Sequence, residues 1–133
     1  MKHISVLAAK HLGVIACPAN ATLLDAARMM DEEDISSIIV VDDTGHLRGI
    51  LTRTDILRAA LERPDDWEQL ACPDWMTKDV VTVPPTASLE DAARLLQQKH
   101  IHRVVVAEDD GQGLVPLAVV SARDIIYHLV HQR

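Results

Sequence analysis

Two short stretches carry side chains that suit the chemistry of nucleotide binding. They are Thr52-Arg53-Thr54-Asp55 and Ser121-Ala122-Arg123-Asp124. Each follows an apolar run typical of a strand and opens a segment with helical character, so its hydroxyl group lies at a strand-to-helix junction. The backbone N–H groups and the dipole of a helix N-terminus favour an anion such as phosphate. A carboxylate beside them can accept both hydroxyl groups of a ribose.

A second interpretation of the same residues is purely structural. A Ser or Thr followed three positions later by Asp is the pattern of a helix N-cap, in which the hydroxyl and the carboxylate bond each other's backbone N–H groups. A single copy favours this interpretation. Two copies at equivalent junctions shift the balance towards binding, and both interpretations stay open.

The chain contains an internal repeat. Residues 18–35 and 84–101 are identical at eight of eighteen aligned positions, an offset of 66. Thr52 and Ser121 are 69 positions apart, so the second copy holds three extra residues, which we expect in the turn around 111–113. Such self-similarity indicates a duplicated structural unit.

Each copy predicts the order β-α-β-β-α, with one unit over residues 1–66 and the other over 67–133. Because neither copy can bury its apolar faces alone, we expect an α+β fold in which the two units pack as a pseudo-two-fold pair. The connector, roughly Arg63–Lys78, contains Trp67 and Trp75, which we expect to hold it against the core. The predicted strands are 14–17, 38–41, 47–51, 80–83, 104–106 and 115–120, and the helices start at Thr22, Arg53, Ser88 and Ala122.

Composition limits the classes of function. The 133 residues are 48% hydrophobic, which provides ample material for a core in one compact domain or two small halves. The formal net charge is −7, and no Lys or Arg cluster forms a stripe. Binding of nucleic acid through its phosphates is therefore disfavoured.

The cysteines and the apolar runs bear on location. Cys17 and Cys72 are far apart in sequence and form no C-x-x-C motif, which favours buried thiols in a reducing cytoplasm. No apolar run reaches membrane-spanning length, so we expect no membrane association.

The histidines show no familiar zinc spacing, and Ser121 has no base at motif spacing. We therefore expect no metal, no cofactor and no enzymatic activity.

Taken together, the repeat and its junctions resemble the CBS domain pair, the family named for cystathionine β-synthase. The resemblance covers essentially the whole chain. Residues 49–55, Gly-Ile-Leu-Thr-Arg-Thr-Asp, are similar to the ligand motif of the family, and residues 75–84 are similar to its usual lead-in to a unit. The second copy departs from the motif at Ala118, where glycine is common.

The resemblance implies two nucleotide sites, each formed by residues of both repeats. We name them the first and the second predicted site. The first comprises Thr52, Thr54, Asp55, Val81, Thr82, Ile101, His102 and Arg103. The second comprises Ser121, Arg123, Asp124, Ile15, Ala16, Ser36 and Ser37.

The family implies a role for each kind of residue. Adenine is held between apolar side chains, ribose by the Asp, and phosphate by the hydroxyl residue and nearby bases. His102-Arg103 is similar to a segment of the gamma subunit of AMP-activated kinase, where such a pair lies by the phosphates. Because the second site has Ser36-Ser37 in the place of that pair, and Ala118 in the place of Gly49, we expect the first site to bind better.

The expected function is a regulatory, non-catalytic module that binds AMP, ADP, ATP or a related adenosine-containing ligand. The expected partners are that nucleotide, a second copy of the chain in a homodimer, and an effector protein that the sequence does not identify. The alternative is a ligand-free interaction or dimerisation module. A nucleotide-hydrolysing enzyme is a third and weaker possibility.

Overall fold

The computed structural model describes residues 1–9 and 13–131 and has an α+β architecture with two three-stranded sheets. Its helices are α1 (Val6–Ala9), α2 (Leu23–Glu33), α3 (Arg53–Glu62), α4 (Leu89–Lys99) and α5 (Ala122–His131). Its strands are β1 (Ala16–Pro18), β2 (Ser37–Val41), β3 (Leu47–Thr52), β4 (Thr82–Val83), β5 (Arg103–Asp109) and β6 (Leu114–Ser121). After α1, the order β-α-β-β-α occurs twice, as predicted. None of the helices in these segments has the length and apolar character needed to cross a membrane.

The first unit, residues 15–80, is a sheet of order β1-β2-β3 packed against α2 and α3. Strand β1 pairs with β2 in parallel, and β2 pairs with β3 antiparallel. Leu23, Ala26 and Met30 form the buried face of α2, at the i, i+3, i+7 spacing of an amphipathic helix. They pack with Ile38 and Leu51 of the sheet, which explains why these strands are apolar.

The second unit is built from two separate pieces of chain, the described residues of 1–14 and 81–131. Its sheet has the order β4-β5-β6 and packs against α4 and α5. Val6 of α1 is fully buried in the core of this unit, together with Leu89 and Val104. The Val6 N–H donates to the carbonyl of Ala87 at 3.0 Å. The described residues before β1 therefore belong to the core of the second unit, although the sequence repeat assigns them to the first.

The connector between the repeats packs on the first unit in the same way. The Leu23 N–H donates to the Leu70 carbonyl at 2.9 Å, and Ile50 and Thr77 exchange backbone bonds of 3.0 and 2.9 Å. Trp67 and Trp75 lie against the core of this unit, as predicted. The compact units therefore divide the chain near residues 14 and 80, whereas the sequence repeat divides it at residue 66.

The three extra residues of the second repeat lengthen its strands. Strand β5 has 7 residues against 5 in β2, and β6 has 8 against 6 in β3. The connecting turn, residues 110–113, is one residue shorter than its counterpart, residues 42–46. The expectation that the insertion lies in the turn is wrong, because the additional residues continue the antiparallel backbone pairing instead.

Candidate functional site

In the first unit, one end of the sheet collects the predicted site residues of that unit. Strands β1 and β2 start at this end, and β3 ends there. Ser37 pairs with Thr52, and the Arg53 N–H donates to the Ser36 carbonyl at 3.1 Å. The start of β1 lies alongside, because the Ile39 N–H donates to the Ile15 carbonyl at 3.2 Å. The residues brought together are Ile15, Ala16, Ser36, Ser37, Thr52, Thr54 and Asp55.

The second unit gathers its predicted site residues in the equivalent way. Arg103 pairs with Ser121, and the Ala122 N–H donates to the His102 carbonyl at 3.0 Å. The Val105 N–H donates to the Val81 carbonyl at 3.0 Å, which places the start of β4 at the same sheet end. The residues brought together are Val81, Thr82, Ile101, His102, Arg103, Ser121, Arg123 and Asp124.

Each sheet end thus holds part of the first predicted site and part of the second. This division of the sites affects Arg103, which the family resemblance assigns to the first site together with Asp55. Directly paired residues of antiparallel strands project their side chains to the same face of the sheet. Arg103 therefore shares a sheet face with Ser121, a member of the second predicted site. Two assignments of the Arg103 guanidinium compete, and binding measurements distinguish them.

Each hydroxyl-x-x-Asp junction forms a helix cap. The Asp55 carboxylate Oδ2 accepts hydrogen bonds from the Thr52 N–H at 2.9 Å and from its hydroxyl at 3.1 Å. The Thr52 hydroxyl in turn accepts from the Asp55 N–H at 3.3 Å. Ser121 and Asp124 make the same three bonds at 2.8, 2.9 and 3.2 Å. The structural interpretation of these motifs is confirmed at both junctions.

Capping alone does not mark a binding site in this chain. Thr22 with Asp25 and Ser88 with Asp91 form reciprocal capping boxes at the starts of α2 and α4. The caps at Thr52 and Ser121 differ from these two in their position. Thr52 and Ser121 are each the last residue of a strand, so their helices start directly at a sheet end that also carries other polar groups.

The structure shows a partner of Asp55 that the sequence did not indicate. The Arg58 guanidinium donates to Asp55 Oδ1 at 3.3 Å and to the Trp75 carbonyl at 3.2 Å. It also lies over the Trp75 ring, 4.9 Å from the ring centroid, a cation–π contact. The spacing of Asp55 and Arg58, three positions on one helix, was a signal that could have predicted the ion pair. The contact with Trp75 could not be read from spacing.

The second repeat has a different residue at the equivalent position. Tyr127 stands where the first repeat has Arg58, and its ring stacks on His131 with the centroids 4.0 Å apart. The two junctions are therefore alike in their caps but differ one helical turn later. A guanidinium therefore lies beside the first junction, and an aromatic pair occupies the equivalent place beside the second.

Gly49 has a packing role in the first unit. A Cβ atom on Gly49 would lie 2.6 Å from the Met76 sulfur and 2.7 Å from the Thr77 carbonyl oxygen. The absence of a side chain is needed for the close approach of the connector. Packing of the connector thus explains the glycine at position 49. The effect of Gly49 and Ala118 on ligand access stays a prediction.

Several polar groups at the sheet ends are accessible to solvent. Thr54, His102 and Arg123 are exposed, and Asp55 and Arg103 are half-buried. A ligand in solution can reach these side chains without disrupting either core. Within residues 1–9 and 13–131, no three His, Cys, Asp or Glu side chains lie together in an arrangement suited to a metal ion.

Comparison with known proteins places this geometry in a family. The CBS domain family profile matches residues 9–62 and 72–131. The chain belongs to the CBS domain family. It carries a tandem pair of CBS domains, as the family resemblance predicted.

CBS proteins of several kinds are similar to this chain. The CBS domain-containing protein YhcV of Bacillus subtilis is 35% identical over 108 residues, which cover 80% of this chain and 75% of that protein. An inosine-5'-monophosphate dehydrogenase of Nitrosopumilus maritimus is 33% identical over 99 residues, or 73% of this chain. The matched segment spans only 19% of that enzyme. Similarity to the enzyme therefore concerns a small part of its length.

Solved CBS structures superpose on the chain along most of its length. The CBS domain of a membrane protein from Sphaerobacter thermophilus has a TM-score of 0.80 at 27% identity, covering 95% of this chain and 88% of that one. CBSX2, solved in complex with AMP, has a TM-score of 0.82 at 20% identity, covering 98% and 99%. The α+β fold predicted from the sequence is confirmed.

Proposed function

We propose that this tandem CBS pair is a regulatory, non-catalytic module that binds an adenosine-containing nucleotide at its sheet ends. The observation that carries the proposal is the repeated assembly of a hydroxyl and a carboxylate where strands begin, strands end and a helix starts. Such a helix start favours phosphate, and the carboxylate suits ribose hydroxyls. The AMP complex of CBSX2, which shares the fold, supports the choice of ligand class.

Calorimetric titration with AMP, ADP, ATP, S-adenosylmethionine and NAD tests the proposal. We expect at least one ligand to bind with a dissociation constant of tens of micromolar, which corresponds to roughly 6–7 kcal/mol. Folded protein that gives no heat with any of the five would refute the nucleotide proposal. Incubation with ATP and Mg²⁺ should release no phosphate, because the module has a binding role without catalysis.

Arg103→Ala should weaken phosphate-bearing ligands by about 1.5–3 kcal/mol while leaving adenosine nearly unchanged, because a charge-assisted bond to phosphate is lost. The matched control is Arg48→Ala, which removes an exposed arginine from the opposite end of β3. His102→Gln should have a smaller effect than Arg103→Ala. Equal losses for AMP and adenosine in Arg103→Ala would show that Arg103 does not bind phosphate.

A ligand-free interaction module is the second candidate, and the last helix of each unit favours it. Leu57 and Leu61 on α3 are 64% and 82% exposed, and Ile126 and Val130 on α5 are 60% and 58% exposed. Single exposed apolar residues are ordinary, but several on one helix indicate a contact surface. Binding of nucleotide and pairing through these helices are compatible.

We expect the chain to form a homodimer that buries these side chains. Light scattering at micromolar concentration should give about twice the monomer mass of 14.7 kDa. Leu61→Glu combined with Ile126→Glu should shift the mass to that of the monomer, because each introduces an unpaired charge into an apolar contact. A wild-type mass of one chain at these concentrations would contradict the homodimer.

A further inference from the structure

The Arg58 guanidinium joins a carboxylate of the first predicted site to the connector. Its Nη2 atom donates to Asp55 Oδ1 at 3.3 Å and to the Trp75 carbonyl oxygen at 3.2 Å. The guanidinium carbon lies 4.9 Å from the centroid of the Trp75 ring, so the same group covers one face of the indole. One side chain therefore contacts both the carboxylate and the aromatic ring of the connector.

The two oxygens of the Asp55 carboxylate have different partners. Oδ2 accepts hydrogen bonds from the N–H and the hydroxyl of Thr52, which occupy the two lone pairs of a carboxylate oxygen. Oδ1 accepts the bond from Arg58 and has a second lone pair that a ribose hydroxyl can use. Arg58 therefore sets the direction in which Oδ1 is presented to a ligand.

Trp75 belongs to the part of the connector that packs on the first unit. Its N–H donates to the carbonyl of the fully buried Cys72 at 3.0 Å, and its ring lies against the core. Further along the connector, Thr77 exchanges backbone bonds with Ile50 of β3, the strand that ends at Thr52. The contacts of Trp75 thus contribute to the attachment of the connector to this unit.

We propose that Arg58 is a positioning residue that couples ligand binding at Asp55 to the packing of Trp75 in the connector. The inference rests on the proposed function, since it takes Asp55 as the group that binds ribose. A hydroxyl that donates to Oδ1 holds the carboxylate in place, and Arg58, bonded to the same oxygen, is then held over the indole. Because coupling is reciprocal, a well-packed Trp75 raises the affinity of the site for its ligand.

Acrylamide quenching of tryptophan fluorescence tests the link without any nucleotide. The chain has two tryptophans, so Trp67→Phe protein reports Trp75 alone. Asp55→Asn should increase the quenching of Trp75, because Arg58 loses its carboxylate partner and uncovers the ring. Arg58→Ala should also increase it, and adding Asp55→Asn to Arg58→Ala should give no further increase.

AMP and its 2′,3′-dideoxy analogue, which lacks both ribose hydroxyls, test the consequence for binding. Wild-type protein should prefer AMP by about tenfold or more, the usual effect of a hydrogen bond to a charged group. This preference should fall several-fold in Arg58→Ala, because Asp55 Oδ1 is no longer held in place. Arg58→Lys should recover little of it, since an ammonium lacks the planar fork that bonds the carboxylate while covering the ring.

The effect of AMP on Trp75 completes the test. Saturating AMP should lower the acrylamide quenching in Trp67→Phe protein, because the ligand fixes Arg58 over the ring. The same addition should leave the quenching unchanged once Arg58→Ala is present. Arg94→Ala is the matched control, which removes an arginine paired with Glu90 on α4 and should alter neither the quenching nor the preference for AMP.

Two results would overturn the coupling alone. One is quenching of Trp75 that does not respond to Asp55→Asn, and the other is an Arg58→Ala variant that keeps the wild-type preference for AMP. Wild-type protein that binds no adenosine-containing ligand refutes the proposed function and this inference together. Circular dichroism of each variant checks that it folds, and the preference for AMP is measured without the Trp67→Phe substitution.

Discussion

Asp55→Ala should lower the affinity for an adenosine-containing ligand roughly a hundredfold, about 3 kcal/mol, with Asp124→Ala the milder change. Asp55 is the carboxylate suited to ribose at the end of β3, and Thr52 and Arg58 fix its orientation before a ligand arrives. Preorganisation of this kind reduces the ordering cost of binding. Calorimetric titration with AMP and ATP measures the loss in each variant.

The capping role of Asp55 requires a control that separates binding from folding. Asp91→Ala removes the same capping box from α4, at a position outside the predicted sites. It should cost about 1 kcal/mol of stability, the usual effect of losing a cap, and leave nucleotide affinity unchanged. The role given to Asp55 is wrong if Asp91→Ala weakens the ligand equally, or if Asp124→Ala proves the more damaging change.

The same titrations decide where Arg103 acts. Residues that contact one ligand show a coupling energy of about 0.5–3 kcal/mol in a double-mutant cycle, whereas independent sites add. The family resemblance predicts that Arg103→Ala couples to Asp55→Ala. Coupling to Asp124→Ala instead would agree with the pairing of Arg103 and Ser121 in the sheet, and would move Arg103 to the second site.

Gly49→Ala should destabilise the first unit by about 3 kcal/mol, an unusually large effect for adding one methyl group. The new Cβ would overlap the Thr77 carbonyl oxygen and the Met76 side chain. Relief of the overlap pushes the connector away, which strains the packing and weakens the paired bonds between Ile50 and Thr77. Urea unfolding followed by tryptophan fluorescence reports the change, because Trp75 lies in this segment.

Gly45→Ala is the matched comparison. Gly45 has a φ of +84° and open space around its Cα, so alanine there meets strain without a clash. The expected cost is about 1 kcal/mol. If Gly49→Ala keeps the wild-type stability but loses nucleotide affinity, then the glycine serves ligand access and the packing explanation fails.

Features of the fold that depend on neighbouring residues could be predicted from the sequence. The starts of α2, α3 and α4 follow from the hydroxyl-x-x-Asp spacing at Thr22, Thr52 and Ser88. The strands follow from short apolar runs. The packing of the first residues in the second unit, and of the connector on the first unit, could not be predicted. It depends on long-range pairing such as Val6 with Ala87, for which the sequence carries no local pattern.

The residues of the candidate site also separate into those that a sequence motif marks and those that only long-range contacts reveal. The motif residues were predicted because family resemblance marks them, and the structure places them at one end of each sheet. Their role in binding stays a prediction. The contact of Arg58 with Trp75 and the packing role of Gly49 were missed. In each of these cases a connector residue is the partner, and connectors lack the periodicity that reveals helices and strands.

The division of the second unit into two pieces of chain has a consequence for the order of events during synthesis. Residues 15–80 are contiguous and can complete their sheet as soon as they leave the ribosome. The first residues must wait for α4, since Ser5 bonds to the carbonyl of Pro85, 80 positions later. The free-energy cost of closing so long a loop grows only with the logarithm of its length. A destabilising substitution near residue 6 therefore acts on the second unit, which is synthesised after the first.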